Sequence, residues 1–302
     1  MKALVTGGAG FIGSHLVDEL VKRKYKVTVL DNLSTGSLKN LKSVKNKIKF
    51  IKCDLFKSKN LNKHVNKVDY VFHLASLSKT IESTKIPQKY YEANVVSTLN
   101  LIYAVRNLRL KKFIYSASAS CYGNPKIIPS SEKSKIEILS PYASTKWMAE
   151  RFILQQAKIY KFPAISLRFF NVYGPRSPAK SMYSGVISIF LKQKFKKKSL
   201  TVVADGKQSR SFIYVSDVVS AIIKAAKSKK KNEIYNVGNK KALAINKIAE
   251  LFDAKKKYVS KRAGEPRHSC PDIKKIKKHL NWAPKISIHA GIEMLLKKAH
   301  EK

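Results

Sequence analysis

A tyrosine and a lysine four residues apart, in Tyr142-Ala143-Ser144-Thr145-Lys146, lie in a stretch whose apolar spacing predicts a helix over Tyr142–Tyr160. Four residues is about one helical turn, so the two side chains share a face and the ammonium can lower the phenol's pKa. A tyrosine brought towards neutrality serves as acid and as base. Upstream, Ser118 sits on the strand end Ser116-Ala117-Ser118-Ala119-Ser120. A Tyr-x-x-x-Lys pair arises by chance in a Lys-rich chain, so its weight comes from the order of motifs around it.

That order begins at the N-terminus. Gly7-Gly8-Ala9-Gly10-Phe11-Ile12-Gly13 leaves one apolar strand and opens one helix. Glycines at Gly7, Gly10 and Gly13 let a backbone turn tightly and approach a pyrophosphate, whose charge rests on the helix N-terminus. The next strand ends at Asp31, where a carboxylate can accept hydrogen bonds from an adenosine ribose and repel a 2′-phosphate. This favours NAD over NADP.

The elements that must position these groups follow from periodicity. Ala3–Thr6, Val27–Leu30, Ile48–Ile51, Tyr70–Leu74 and Phe113–Ser116 read as short buried strands, alternating with helices over Phe11–Arg23, Tyr90–Leu108 and Tyr142–Tyr160. The pattern is α/β: a doubly wound parallel (Rossmann) sheet over residues 1–170. A smaller C-terminal α/β region over 171–302 holds helices at Asp217–Ala226 and Ile273–Leu280, with 212–238 returning to the first domain. There is no internal repeat and no low-complexity linker.

Composition bounds the function. With 302 residues and 44% apolar content the chain can bury a sizeable core, and its apolar runs are too short and too interrupted by Lys to span a bilayer. No membrane partner is expected. The run from Met1 straight into the glycine loop leaves no room for a signal peptide, so a cytoplasmic protein is expected. Cys53, Cys121 and Cys270 match neither a disulfide framework nor a metal spacing, and no metal is expected. The formal charge of +42 would attract nucleic acid or an anionic membrane. Yet of the 61 basic residues only nine are Arg, a skew that suits an AT-rich coding sequence. The Lys runs also lack interleaved aromatics for base stacking, so a nucleic-acid partner is not expected.

With the glycine loop, the acidic strand end, the Ser-rich strand end and the Tyr/Lys helix in order, the chain resembles the extended short-chain dehydrogenases. Within them it is most similar to the UDP-glucose and UDP-N-acetylglucosamine 4-epimerases. Further matching stretches are Asp31–Gly36, Asp54-Leu55, His73-Leu74-Ala75, Asn94-Val95, Arg168–Arg176, Gly206–Asp217, Tyr235–Gly238 and Arg262–Ser269. The resemblance implies an NAD site in which Asp54 and Leu55 lie by the adenine and Leu74, Ala75 and Asn94 flank the cofactor. Phe11, Ile12, Asn32 and Ser116 complete it. Ser118, Tyr142 and Lys146 become the catalytic set: Tyr142 takes the proton from the sugar O4 while the C4 hydride passes to NAD, and hydride return to the other face of the keto sugar inverts C4. Lys146 also binds the nicotinamide ribose. Read singly, His73 and Asn94 fit equally a core histidine and a helix-face amide.

The same resemblance places Asn171, Arg210 and Arg262 around the diphosphate and uridine of a UDP-sugar, Thr201 and Val203 by the uracil, and Val186 in the segment covering it. Arg176 and Arg267 are weaker candidates, because a surface Arg commonly pairs with a carboxylate. Related 4,6-dehydratases carry an Asp-Glu pair, and decarboxylases a Glu, where this chain has Ala119-Ser120, so the acid for elimination is missing. Ser269 stands where hexose-only epimerases carry a bulky gate, which admits an N-acetyl group. A homodimer through Tyr90–Leu108 and Tyr142–Tyr160 is implied. A UDP-glucuronate 4-epimerase or a nucleotide-sugar reductase would share every cofactor residue.

Overall fold

The computed structural model describes residues 1–178, 185–260 and 266–300. Its centre is a seven-stranded sheet in the order β3-β2-β1-β4-β5-β6-β11, every neighbouring pair parallel. The strands are β1 (Lys2–Thr6), β2 (Lys26–Asp31), β3 (Ile48–Lys52), β4 (Tyr70–His73), β5 (Lys112–Ser118), β6 (Ala164–Phe169) and β11 (Glu233–Val237). Between them run α1 (Phe11–Lys22), α2 (Asn62–Val65), α3 (Thr80–Lys85), α4 (Pro87–Tyr91), α5 (Ser97–Val105), α6 (Pro141–Ile159) and, before β11, α8 (Val215–Lys227).

Alternation along each strand splits the core in two. Val5, Val27, Val29, Phe72 and Ile165 face α1 and α8, whereas Leu4, Leu30, Val71, Phe113 and Ala164 face α5 and α6. Because both faces are covered, the strands are apolar almost throughout. The order reverses between β1 and β4, which opens a crevice at the carboxyl ends of those strands.

A third apolar cluster, with Tyr173, Ile187, Phe190, Val202, Phe212, Ile248 and Ile292, is built mainly by the rest of the chain. It joins α7 (Val186–Phe195), α9 (Ile245–Glu250) and α11 (Ile288–His300) to the parallel pairs β7 (Asn171–Tyr173) with β10 (Phe212–Tyr214) and β8 (Leu200–Val203) with β13 (Lys256–Val259). A small sheet β12-β9-β14, of Leu243–Ala244, Ser209–Arg210 and His268–Ser269, adjoins it, whereas the helix α10 (Lys274–Leu280) packs through Ile276 and Leu280 into the first cluster beside β11. Phe11 and Ile12 at the start of α1 pack against this cluster too, so the glycine-loop helix touches both parts of the molecule.

The helix expected over Tyr90–Leu108 is present as far as Val105 but is not α-helical throughout. Between α4 and α5 the backbone widens into a π turn at Glu92–Val96, where the Ser97 hydroxyl donates to the Glu92 carbonyl at 3.1 Å. Such single wide turns gather at functional sites, and this one carries Asn94.

Candidate active site

The glycine loop is held rigidly before any ligand is considered. Gly7 has φ +68°, and a Cβ there would stand 2.6 Å from the Ala75 nitrogen; at Gly13 it would meet the Gly7 carbonyl oxygen at 2.1 Å. Only hydrogen fits, so the chain of β1, the end of β4 and α1 close on one another. Asp31, at the end of β2, accepts the N–H of Ala9 at 2.9 Å and that of Leu33 at 2.8 Å. Burial raises its pKa, and those two N–H bonds pull the other way. Asp54 accepts from the Phe56 N–H and from the Asn32 amide at 3.0 Å, which brings Asn32, Asp54 and Leu55 together at the ends of β2 and β3. A glycine cradle beside a buried acid fits a dinucleotide: Gly7–Gly13 would take the pyrophosphate and Asp31 the adenosine ribose.

At the other side of the crevice, Ser118 ends β5 and caps the short 3₁₀ segment Ala119–Tyr122, its oxygen accepting the Ser120 N–H at 3.2 Å. This leaves the Ser118 proton free to donate. Tyr142 and Lys146 occupy the first turns of α6, whose start is fixed by Ser140 as N-cap and Pro141 at the first position. Burial raises the Tyr142 phenol, and a hydrogen bond from Ser118 lowers it. Thus Ser118 and Tyr142 meet. Burial outweighs the opposing bond, so the resting phenol lies above its ordinary value. Lys146 is itself pulled down to about 7 by burial, with Glu150 opposing. Its ammonium lies 4.4 Å from the centre of the Tyr115 ring.

His73 and Asn94 have committed side chains. His73 bonds Thr6 at 2.7 Å through Nδ1 and Thr98 at 2.8 Å through Nε2, and burial depresses its pKa to about 3. It is a neutral core histidine. The Asn94 oxygen accepts the Leu77 N–H at 2.8 Å, and its amide donates to the Leu77 carbonyl and to the Thr145 hydroxyl, both at 3.0 Å. Asn94 therefore ties the segment following Leu74 and Ala75 to the helix of Tyr142 and Lys146. Ser116 donates to the His73 carbonyl at 3.2 Å, next to the same crevice.

The candidate substrate residues divide. Asn171, Ser211 and Ser269 are laced together, the Asn171 N–H donating to the Ser211 carbonyl at 3.2 Å and the Ser211 N–H to the Ser269 carbonyl at 2.9 Å. Arg210 pairs with Ser269 in register and bonds the backbone carbonyls of Ser209 and Arg267. Thr201 on β8 is clamped by Gln193 of α7, and Gln208 donates to the Val203 carbonyl at 2.9 Å, bringing β8 to the strand of Arg210. Val186 opens α7. Arg262 lies outside the described residues. Arg176 and Arg267 pair with Asp18 and Asp205 instead, the latter through two bonds of 2.9 and 2.8 Å. Among the described residues no cluster of metal-ligating side chains exists.

Sequence reasoning missed three supports. Ser83 of α3 accepts the Tyr142 N–H at 3.0 Å, Tyr90 packs edge-on to Tyr142, and Glu150 pairs with Arg168 behind Lys146. Only the last had a visible signal: an arginine in the largely apolar, wholly buried strand Ala164–Phe169 demands a buried counter-ion.

A glycine-cradled dinucleotide site facing a serine, a tyrosine and a lysine defines an enzyme that works on a bound substrate with a nicotinamide cofactor. Residues 3–238 match the NAD dependent epimerase/dehydratase family, and the chain belongs to that family. A putative UDP-glucose 4-epimerase of Methanocaldococcus jannaschii is 35% identical, the match covering 97% of this chain and 96% of that one. A UDP-glucuronic acid decarboxylase of Arabidopsis thaliana is 33% identical over 98% of this chain and 88% of its own. The crystal structure of Thermotoga maritima UDP-glucose 4-epimerase with UDP-glucose superimposes with a TM-score of 0.95 at 32% identity, covering 100% of this chain and 99% of that one.

Proposed function

We propose that the chain is an NAD-dependent 4-epimerase of a UDP-hexose, interconverting UDP-glucose and UDP-galactose, UDP-N-acetylglucosamine and UDP-N-acetylgalactosamine, or both. The observation that carries this reading is the meeting of Ser118 with Tyr142 where the two following residues, Ala119 and Ser120, bear no carboxyl group. Ser118 can donate to a sugar oxygen while Tyr142 removes and returns its proton. Neither neighbour can supply the acid that elimination or decarboxylation uses in the relatives the sequence resembles.

Bound NAD would accept hydride from the sugar carbon and return it. Gly7, Gly10, Phe11, Ile12, Gly13, Asp31, Asn32, Asp54, Leu55, Leu74, Ala75, Asn94, Ser116, Tyr142 and Lys146 would hold it. Burial keeps the Tyr142 phenol protonated at rest, so a partner is needed to favour the phenolate when O4 gives up its proton. Lys146, one turn along the same face, can supply that positive charge. Asn171, Arg210 and Arg262 would take the diphosphate and uridine, guanidinium forks being suited to phosphate. Ser269 is small enough to leave room for an N-acetyl group.

The test is a product panel: purified protein incubated with UDP-glucose, UDP-N-acetylglucosamine and UDP-glucuronate, and resolved by chromatography. The account expects the C4 epimer of a hexose substrate. A pentose product with loss of carbon dioxide would instead mark a decarboxylase, and epimerisation of UDP-glucuronate alone would mark a uronate enzyme.

The site is proposed to work in a homodimer in the cytoplasm, without a nucleic-acid partner. Tyr91, Tyr103 and Ile159 are 43%, 58% and 58% exposed on α4, α5 and α6, an apolar outer face on the helices expected at the interface. Light scattering should give twice the 34.1 kDa chain mass; a fully active monomer would overturn this. No described helix is long and apolar enough to cross a membrane.

A further inference from the structure

Lys146, Glu150 and Arg168 are buried together, only 3%, 1% and 3% exposed. Glu150 is one turn beyond Lys146 on α6, and both its oxygens are taken. Arg168 on β6 reaches them through Nη2 at 2.5 Å and Nε at 3.0 Å, and the Ser166 hydroxyl adds a third bond at 2.7 Å. Arg168 then donates through Nη1 to the Tyr122 hydroxyl at 2.8 Å, and Tyr122 donates to Asn236 of β11 at 2.7 Å. Tyr122 stands four residues after Ser118, in the 3₁₀ segment that Ser118 caps. One buried bidentate pair therefore links the helix of Tyr142 and Lys146 to the segment of Ser118.

We propose that Glu150 is a positioning residue of the reaction: paired with Arg168, its carboxylate holds α6 in register with the Ser118 strand end and stands one turn from Lys146 as the negative charge of that buried cluster. This rests on the roles proposed above for Ser118, Tyr142 and Lys146. A buried ion pair is weak evidence for stability, since desolvation offsets most of the attraction. The position of this one, a turn from Lys146 and joined through Tyr122 to the Ser118 segment, points to a task in the site.

The charges around Lys146 agree. Tyr115 on β5 lies under its ammonium, and His73 on β4 is neutral, its charged form opposed by Lys146. Tyr142 on its own helix is held protonated by burial. Glu150 is the carboxylate that raises Lys146 against its burial, while Arg168 neutralises it on the far side. Without Glu150 the ammonium would have only the Tyr115 ring to set against its burial and would lose its proton at lower pH.

The experiment follows Lys146 directly and needs no substrate. Lysine ε-carbons are labelled with ¹³C, and the resonance absent from Lys146→Met is titrated in wild type, in Glu150→Asp and in the double variant Glu150→Gln/Arg168→Met, which removes both members of the ion pair together. The expected midpoint falls by about one pH unit or more in the double variant, since one pH unit is about 1.4 kcal/mol of differential interaction, and by less in Glu150→Asp. A Tyr122→Phe control should lower turnover while leaving the titration in place. Unchanged midpoints in both Glu150 variants, with only melting temperature reduced, would make Glu150 merely structural and overturn the proposal. Failure of the wild type to epimerise any UDP-sugar would instead count against the function and leave this readout standing.

Discussion

The Ser83 hydroxyl accepts the backbone N–H of Tyr142 at 3.0 Å, while Ser140 accepts that of Ala143 at 3.2 Å. Two free N–H groups in the first turn of α6 are thus satisfied by side chains from separate segments. Ser83 is fully buried, with its own proton donated to the Thr80 carbonyl.

Ser83→Ala would leave the Tyr142 N–H buried and unpaired, a loss of about 1–3 kcal/mol. Because the orphaned group belongs to the proposed catalytic residue, turnover should fall by about tenfold or more at temperatures where the variant is folded, one decade being about 1.4 kcal/mol of barrier. Urea unfolding and initial rates check the two halves separately.

Tyr142→Phe removes the proton carrier and leaves the ring against Tyr90. Turnover should drop by about 10²–10⁴-fold, the usual contribution of a positioned acid or base, with cofactor retained. Activity near that of the wild type would take the proton transfer away from Tyr142.

Gly13→Ala would put a methyl group 2.1 Å from the Gly7 oxygen, a contact backbone atoms cannot relieve without opening the loop. The protein should purify without NAD and bind it at least about tenfold more weakly, a loss of about 1.4 kcal/mol. Chromatography of the cofactor released on denaturation measures the first, and calorimetric titration the second.

His73 makes stability acid-sensitive. Its folded pKa of about 3 lies below the unfolded 6.5, so the unfolded chain binds the extra proton between those values. Stability from this group is complete above about pH 6.5 and is lost as pH falls towards 3. The loss should reach several kcal/mol, and His73→Gln should be less stable at pH 7 yet flatter with pH. Chemical unfolding at a series of pH values would reveal an equal slope if this reading were wrong.

Much of the fold and the heart of the site were legible because they are local. Gly7 to Asp31 is one strand, one turn and one helix, with its chemistry written in spacing. The Tyr142/Lys146 pair needed only a helical period. The π turn at Glu92–Val96 was hidden, since apolar spacing tolerates one extra residue in a helix. The strands Ser209–Arg210, Leu243–Ala244 and His268–Ser269 are too short for alternation to be counted. α3, α7, α9 and α11 also escaped notice, and with α3 the cap that Ser83 provides. The choice between core and site for His73 was settled by Thr6 and Thr98, 67 and 25 residues away in the chain. Glu150 and Arg168 are 18 residues apart, and only packing shows that they meet.

The central claim is transient oxidation and return of hydride at C4 on the Ser118/Tyr142 side of the crevice. It is tested most directly by incubating the purified protein with UDP-hexose carrying deuterium at C4 and examining the product by NMR and mass spectrometry. The account predicts the C4 epimer with deuterium still at C4, formed by Tyr142→Phe only at the strongly reduced rate given above. An epimer whose C4 deuterium has exchanged with solvent, or a product whose C4 is unchanged, would contradict it.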